Sequence, residues 1–468
     1  MHKKLRLLAL NIALFLLFFF SSIPNGWTAD KPSITIHNLI NLTGIYAPIS
    51  VPYEKGGKDF LAWIADQGGL DVDLDGKGDV EIKYVWAEIG DSDAQLMSAY
   101  KRFRMGRARF SLIEMVSTPK PRPFIMEMWP SPNQDLKSTL ERDGVVGYGV
   151  GFDDHQLYPP SWNFANNGSL VELGAGAIEY YVDHLWPNRG KGIKAKVACL
   201  TWEAAYGKAL NKLMKKYGEK TGKYEVAAEL SFATMPTDRE VKEFLPDLEK
   251  KGIDIIWSNS TVQTSAAIMK GIHNLGLSKK IVLLANPGAP SDHLLNILSP
   301  ESAEGYISVQ SVFVPSAEPD EPGVKFAKML NEKYRKEPGL PSTLYMEGIR
   351  MKANMLESVR RALIGMMKRD NIDLAKACKW INGKEVKEFG VQTLAGYSAY
   401  DTTTKFQSAP SGKDDRRLAD HARLIGIKEG KVKVLSPWYK APRLIPEEVA
   451  KQGLFSDERA NIIYTVSK

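Results

Sequence analysis

Cysteine is scarce in this chain: Cys199 and Cys378 are the only two among 468 residues. One pair so far apart in sequence is a poor disulfide framework, and two thiolates are too few for a Cys-based zinc site. Cys199 lies inside the apolar run Val197 to Leu200, which reads as a buried strand. Two buried thiols with no bridge are therefore expected. The seven histidines show no metal spacing. There is no H-E-x-x-H zinc motif and no G-x-S-x-G nucleophile elbow. Gly218 to Lys223 is one residue short of a Walker A loop and lacks its Ser or Thr. Gly147, Gly149 and Gly151 follow a strand, but Phe152 stands where a dinucleotide fingerprint needs its third glycine. No nucleotide, metal or other cofactor is expected.

Long hydrophobic runs are also lacking, with one exception. Leu7 to Phe20 is unbroken apolar sequence, preceded by Lys3, Lys4 and Arg6 and followed by polar Ser21 to Thr28 and then Ala29-Asp30. That is a basic, apolar and small-residue succession, the layout of a secretory signal peptide over residues 1–29 cleaved near Ala29. Trp27 is large for the third position before the cut, which leaves the cleavage point open. The run is short for a membrane helix, which needs roughly 20 apolar residues. No cysteine sits near the cut, so lipid attachment there is not expected. Charge of one sign is weak as well. Without Lys3, Lys4 and Arg6 the chain holds 59 basic against 55 acidic residues, a net +4. That argues against a nucleic-acid partner. The densest basic cluster, Lys101, Arg102, Arg104, Arg107 and Arg109, suits a helix C-terminus. At 44% hydrophobic and 25% charged, the rest has the composition of a globular protein of two or three domains.

What is present is a rhythm. Val197 to Leu200, Tyr224 to Leu230, Ile253 to Trp257 and Ile281 to Ala285 read as strands that begin about every 28 residues, with helical patterns between them. Leu210, Leu213, Met214 and Tyr217 share one helix face, as do Val241, Phe244, Leu245 and Leu248 behind an Asp238 cap. That spacing fits strand plus crossover helix, hence a parallel sheet covered on both faces. The earlier part repeats the scheme: strands Ser33 to Leu39, Val80 to Trp86, Phe110 to Met115 and Val145 to Val150, with a helix around Leu96, Ala99, Tyr100 and Phe103 capped by Asp91 or Ser92. Two successive α/β units follow, roughly 30–165 and 166–308, then a helix from Tyr345 to Met367 and a β-rich tail. Ligands of such sheets bind outside the carboxyl ends of the strands. Asp71, Asp73, Asp75, Gly76 and Asp79 resemble the start of a calcium loop, but Ile82 stands where the twelfth-position acid belongs. A polar hairpin is the other reading of this stretch.

Asn41-Leu42-Thr43-Gly44-Ile45-Tyr46-Ala47, directly after the first strand, is similar to the L-T-G turn of the branched-chain-amino-acid type of periplasmic solute-binding protein, the receptors of ABC importers. The resemblance continues through Asp91 to Gln95, Met115-Val116-Ser117-Thr118, Trp202 to Gly207, Gly252 to Leu277, Gly305-Tyr306, Leu344 to Leu356 and Ile427 to Gly430. It implies two Rossmann-like lobes with parallel sheets joined by a multi-strand hinge, a type I Venus-flytrap fold. Residues 309–395 would return to the first lobe and 396–468 to the second. It also implies a periplasmic, non-catalytic monomer that takes a small solute in the interlobe cleft and delivers it to an inner-membrane permease. Ser117 and Thr118 would offer hydroxyls and N–H groups at a strand-to-helix turn. Tyr46 and Tyr206 would close over the ligand from opposite lobes, with Trp202, Asn259 and Ser260 beside them. Tyr148, Gly149 and Gly151 would line the floor.

The departures from the family pattern bear on the ligand. Where amino-acid-binding members place an acid for the ammonium group, this chain has Ser258 to Thr264 with none, and Thr201 replaces an Asp. A segment with Pro119, Pro121, Pro123, Met126, Met128 and Trp129 reads as an insert that lines or lids the pocket. An unpaired buried ammonium is costly, so a carboxylate or amide without an essential α-ammonium is expected. The competing readings are an exported α/β hydrolase and a ligand-sensing receptor module.

Overall fold

The computed structural model describes residues 31–90, 93–104, 125–128, 135–150, 157–202, 205–232, 235–381, 416–417, 420–446 and 462–464. The first lobe is built on a five-stranded, wholly parallel sheet in the order β2-β1-β3-β4-β5. Its strands are β1 (Ser33–Ile40), β2 (Glu81–Glu88), β3 (Ile125–Met128), β4 (Val146–Gly149) and β5 (Asn163–Ala165). Helix α1 (Ala47–Asp66) follows β1, α2 (Asp93–Arg104) follows β2, and α3 (Asp135–Asp143) precedes β4. Successive β1 side chains point to opposite faces. His37 packs on the Phe103 ring of α2 at 5.0 Å, while Asn38 donates to Glu54 of α1 at 3.0 Å. Helices α1 and α2 thus cover opposite faces, and β1 is buried on both, as parallel sheets require.

The second lobe carries α4 (Leu170–His184), β6 (Ala195–Trp202), α5 (Ala205–Thr221), β7 (Tyr224–Phe232), α6 (Asp238–Lys250), β8 (Ile255–Ser258), α7 (Val262–Asn274), β9 (Val282–Ala285) and β10 (Ile307–Gln310). The chain then returns to the first lobe with α8 (Pro322–Leu330), α9 (Thr343–Asp370) and α10 (Leu374–Ile381). Strands β11 (His421–Lys428) and β12 (Lys431–Val434) join the second sheet, whose order is β12-β11-β10-β9-β8-β6-β7. Strands β6 to β10 are parallel, and the last two are antiparallel additions. Alternation again sorts the core. Cys199 and Trp257 pack with α4 and α5, whereas Leu200 and Ile256 pack with α6 and α7. Gly174 of α4 lies so close to Trp257 that a methyl there would sit 2.6 Å from its ring.

Two expectations are corrected here. The strand between β1 and β4 is Ile125 to Met128, with Met126 fully buried in the core, so this stretch is sheet and not a pocket lid. Four residues between prolines carry too short a pattern to read as a central strand. The segment Phe110 to Met115 lies outside the described residues, as do Asp91 and Ser92. The cap of α6 is Thr237 rather than Asp238, in a capping box with Glu240. Cys199 and Cys378 are buried in the cores of different lobes and share no disulfide. Burial pushes the Cys378 thiol up to about 12, away from reactivity.

The lobes are joined by chain crossings between β5 and α4 and just after β10; Arg416 and Arg417 run beside Ala165 as a third link. Buried charges tie these crossings together. Arg350 of α9 donates to the Ser311 carbonyl at 2.9 Å, to Glu347 at 2.6 Å and to the Asn167 side-chain oxygen. Glu172 completes a capping box with Ser169 at the start of α4. It also pairs with Arg417 at 3.4 Å and accepts the Leu444 N–H at 2.9 Å.

Candidate functional site

All described strands of the first sheet and strands β6 to β10 of the second are parallel, so each lobe gathers its strand-end loops on one edge. The two edges meet. Gly288, after β9, lies against Ile49 in the first turns of α1, and Asp292 accepts the Thr343 N–H of α9 at 2.8 Å. The space between those edges is the candidate site.

On the first lobe the loop after β1 is held by Glu88, at the end of β2. Its carboxylate accepts the Leu42 N–H at 2.7 Å, the Gly90 N–H at 3.0 Å and the Thr43 hydroxyl at 3.2 Å. Gly44 takes φ +74°, a conformation that favours glycine and turns the chain into the helical turn Gly44–Tyr46. Ser50 donates to the Tyr46 carbonyl at 2.9 Å. Tyr46 is half-buried on this pinned loop. Gly149 ends β4, and its carbonyl accepts the Asn166 N–H of the crossing at 3.1 Å.

Tyr148 is different from its expected role. Its ring is fully buried and stacks on Phe164 at 5.7 Å, and its hydroxyl pairs with Ser358 of α9. Burial raises its hydroxyl above the ordinary range. It is a core residue with its polar end satisfied, and we remove it from the floor of the cleft. Ser117, Thr118 and Gly151 lie outside the described residues. The backbone of Trp202 ends β6 and that of Tyr206 lies in the first turn of α5, which places both on the second lobe's strand-end edge.

The second lobe's described strand ends are neutral and hydrogen-bonding. Asn259 and Ser260 follow β8, and Thr261 caps α7. The Ser260 hydroxyl donates to Thr264 at 2.9 Å. Asn286, which the sequence reading did not single out, donates to the Asn259 side-chain oxygen at 3.0 Å and to the Ser260 carbonyl at 3.1 Å. The Asn259 amide nitrogen and the Thr201 hydroxyl are buried with no partner among the described residues. A buried donor left unpaired costs about 1–3 kcal/mol. Such groups persist where something else supplies the partner.

The remaining metal candidate lies elsewhere, in the loop between α1 and β2. Asp71, Asp73 and Asp79 each bring one oxygen within 4.8 Å of the others. The same carboxylates also hold the turn itself: Asp71 accepts the Leu74 and Gly76 N–H groups, and Asp79 that of Val72.

Comparison with known proteins agrees with this architecture. Residues 33–379 match the periplasmic binding protein family. No curated protein sequence matches the chain. Among solved structures, the chain is similar to a valine-bound branched-chain amino acid ABC transporter protein from Thermus thermophilus, at TM-score 0.69 and 16% identity over 87% of this chain and 96% of that one. An ABC transporter substrate-binding protein from Aeropyrum pernix gives 0.70 and 12%, over 88% and 96%. A fatty acid ABC transporter substrate-binding protein from Thermomonospora curvata gives 0.66 and 17%, over 92% and 95%. At such identities the likeness is one of fold. No helix among the described residues is long and apolar enough to cross a membrane. With the family match spanning most of the chain and two parallel lobes meeting at their strand ends, this chain belongs to the periplasmic binding protein family, as a type I solute-binding protein and not an enzyme.

Proposed function

We propose that this chain is the substrate-binding component of an ABC-type importer, exported to the periplasm, where it closes on one small organic solute and hands it to an inner-membrane permease. The observation that carries the reading is the set of buried hydrogen-bonding groups with no partner among the described residues at the second lobe's strand ends, facing the first lobe's pinned loop. Tyr46, Gly149, Trp202, Tyr206, Asn259 and Ser260 are the residues we assign to the ligand, with Ser117, Thr118 and Gly151 completing the first-lobe half. The lobes divide as 30–165 with 309–395 and 166–308 with 396–468. A valine-bound neighbour and one described as the substrate-binding protein of a fatty acid ABC transporter support a solute with a carboxylate or related group. Hinged closure of two lobes is the step that such a carrier needs. Small-angle scattering tests it. Protein stripped of small molecules by unfolding and refolding should contract when the solute released from native protein is added back. A radius of gyration that never changes would count against a closing carrier.

A further inference from the structure

Asn286 fixes which way the site's amide points. Its side-chain oxygen accepts the Gly288 N–H at 2.7 Å, which identifies its oxygen end. Its nitrogen end must then face Asn259 and the Ser260 carbonyl, as it does. Two amide nitrogens cannot face each other productively, so Asn259 turns its oxygen to Asn286 and its nitrogen away. That nitrogen is the one with no partner among the described residues, on a side chain 4% exposed. Thr201 lies at the end of the neighbouring strand β6. The Asn259 N–H donates to the Leu200 carbonyl at 2.9 Å, and Leu200 pairs with Ser258. Thr201 and Asn259 each lie one residue beyond that pair, and the Thr201 hydroxyl is likewise unpartnered among the described residues.

We propose that Asn286 sets the polarity of the ligand site: it holds Asn259 so that an N–H donor, seconded by the Thr201 hydroxyl, receives a carbonyl or carboxylate oxygen of the solute. An ammonium group cannot pair with that N–H and loses the contact that an acid or amide oxygen makes. This rests on the solute-carrier reading above and narrows it to acids and amides. Asn259 touches the ligand; Asn286 is a positioning residue. The described strand-end residues 201–202, 258–264 and 286–289 include no acid. Asp292, a little further on, has one carboxylate oxygen on the Thr343 N–H, and its other oxygen is buried with no partner among the described residues. Glu203 lies outside the described residues and is tested directly.

The experiment is isothermal titration of ligand-stripped protein with matched probes: 4-methylpentanoate, 4-methylpentanamide, 4-methylpentylamine and leucine, with phenylacetate, phenylacetamide, phenethylamine and phenylalanine as a second series. Wild type should prefer the acid or amide over the amine of the same skeleton by at least about tenfold, the ordinary worth of one charge-assisted contact. Asn259→Asp keeps the Asn286 contact but presents an acceptor, and should cancel or reverse that ratio; the ratio is the readout, since a buried carboxylate also lowers stability and all affinities together. Asn286→Asp cannot donate to Asn259, so the Asn259 amide turns over and the ratio moves the same way. A purely structural Asn286 would lower all affinities together and leave the ratio alone. Glu203→Gln should change nothing. Amine or amino-acid preference in wild type, or a ratio untouched by Asn259→Asp, overturns the proposal and leaves the carrier reading standing. If no probe binds, the molecule released from native protein decides. A carboxylate or amide without an ammonium supports the proposal, and an ammonium compound overturns it. The absence of any released molecule overturns the carrier reading itself.

Discussion

Replacing Arg350 by Met removes the one charge that ties two crossings of the chain to α9. Arg350 is 1% exposed, and Glu347 beside it is 4% exposed. In the variant, Glu347 keeps the Asn166 amide at 3.0 Å but loses its buried counter-charge. The Ser311 carbonyl and the Asn167 side-chain oxygen each lose a donor. Breaking a buried pair by removing one partner costs about 3–5 kcal/mol, because the other charge stays buried. With an unfolding entropy of about 2.1 cal/mol/K per residue, a 468-residue chain melting as one unit should lose about 3–5 °C in Tm. Urea unfolding followed by circular dichroism measures the free energy directly. Arg350→Lys keeps the charge without the planar fork and should fall between. The double variant Arg350→Met with Glu347→Met should recover much of the loss, since no lone charge remains. A Tm within 1 °C of wild type for Arg350→Met would refute the reasoning, and so would a double variant worse than the single.

Gly348→Ala should destabilise by about 2 kcal/mol in the same assay: its methyl would fall on the Tyr53 carbonyl of α1, and backbone cannot swing aside, so overpacking outweighs the roughly 1 kcal/mol of helix propensity gained. Tyr148→Phe should cost about 1 kcal/mol, the worth of its hydrogen bond to Ser358, and leave solute affinity unchanged, as a core residue would. Burial holds His37 down at about 4, against an ordinary 6.5. The unfolded chain therefore takes the proton first, so stability is full above pH 6.5, declines as pH falls and levels off near 4. The drop attributable to His37 is about 3 kcal/mol, and His37→Phe should flatten that part of the denaturation-versus-pH curve. Tyr206→Ala should raise the dissociation constant of the co-purified solute while the melting curve stays in place.

Much of the fold was legible because parallel α/β units repeat a physical pattern. Apolar runs such as Val197 to Leu200 appear as buried strands β6, β8 and β9, and the helix faces through Leu213 and Leu245 cover opposite sides of the second sheet. The turn at Leu42-Thr43-Gly44 was legible as a turn, and its glycine does take a positive φ. Partnership was not legible. Tyr148 sits at a strand end in sequence and looks like a ligand residue, but only the packed structure shows Ser358 waiting for its hydroxyl. Arg350 reads as an ordinary polar position on a long helix; the crossings it binds are about 40 and 180 residues away. Glu88 and Asn286 fall in the same class. Each is a single polar residue whose role is set by which backbone groups come within reach, and no local periodicity records that. Ile125 to Met128 was missed for another reason: a four-residue strand beside prolines has too little pattern to outweigh its flanks.

The central claim is that the cleft between the lobes holds one small solute. Native mass spectrometry of the protein purified without denaturation tests it most directly. The account predicts a single small molecule bound one to one, lost on unfolding, regained by the refolded wild type, and bound less by Asn259→Asp. A bare protein mass from cells that supply solutes, together with no rebinding of any released molecule, would contradict it.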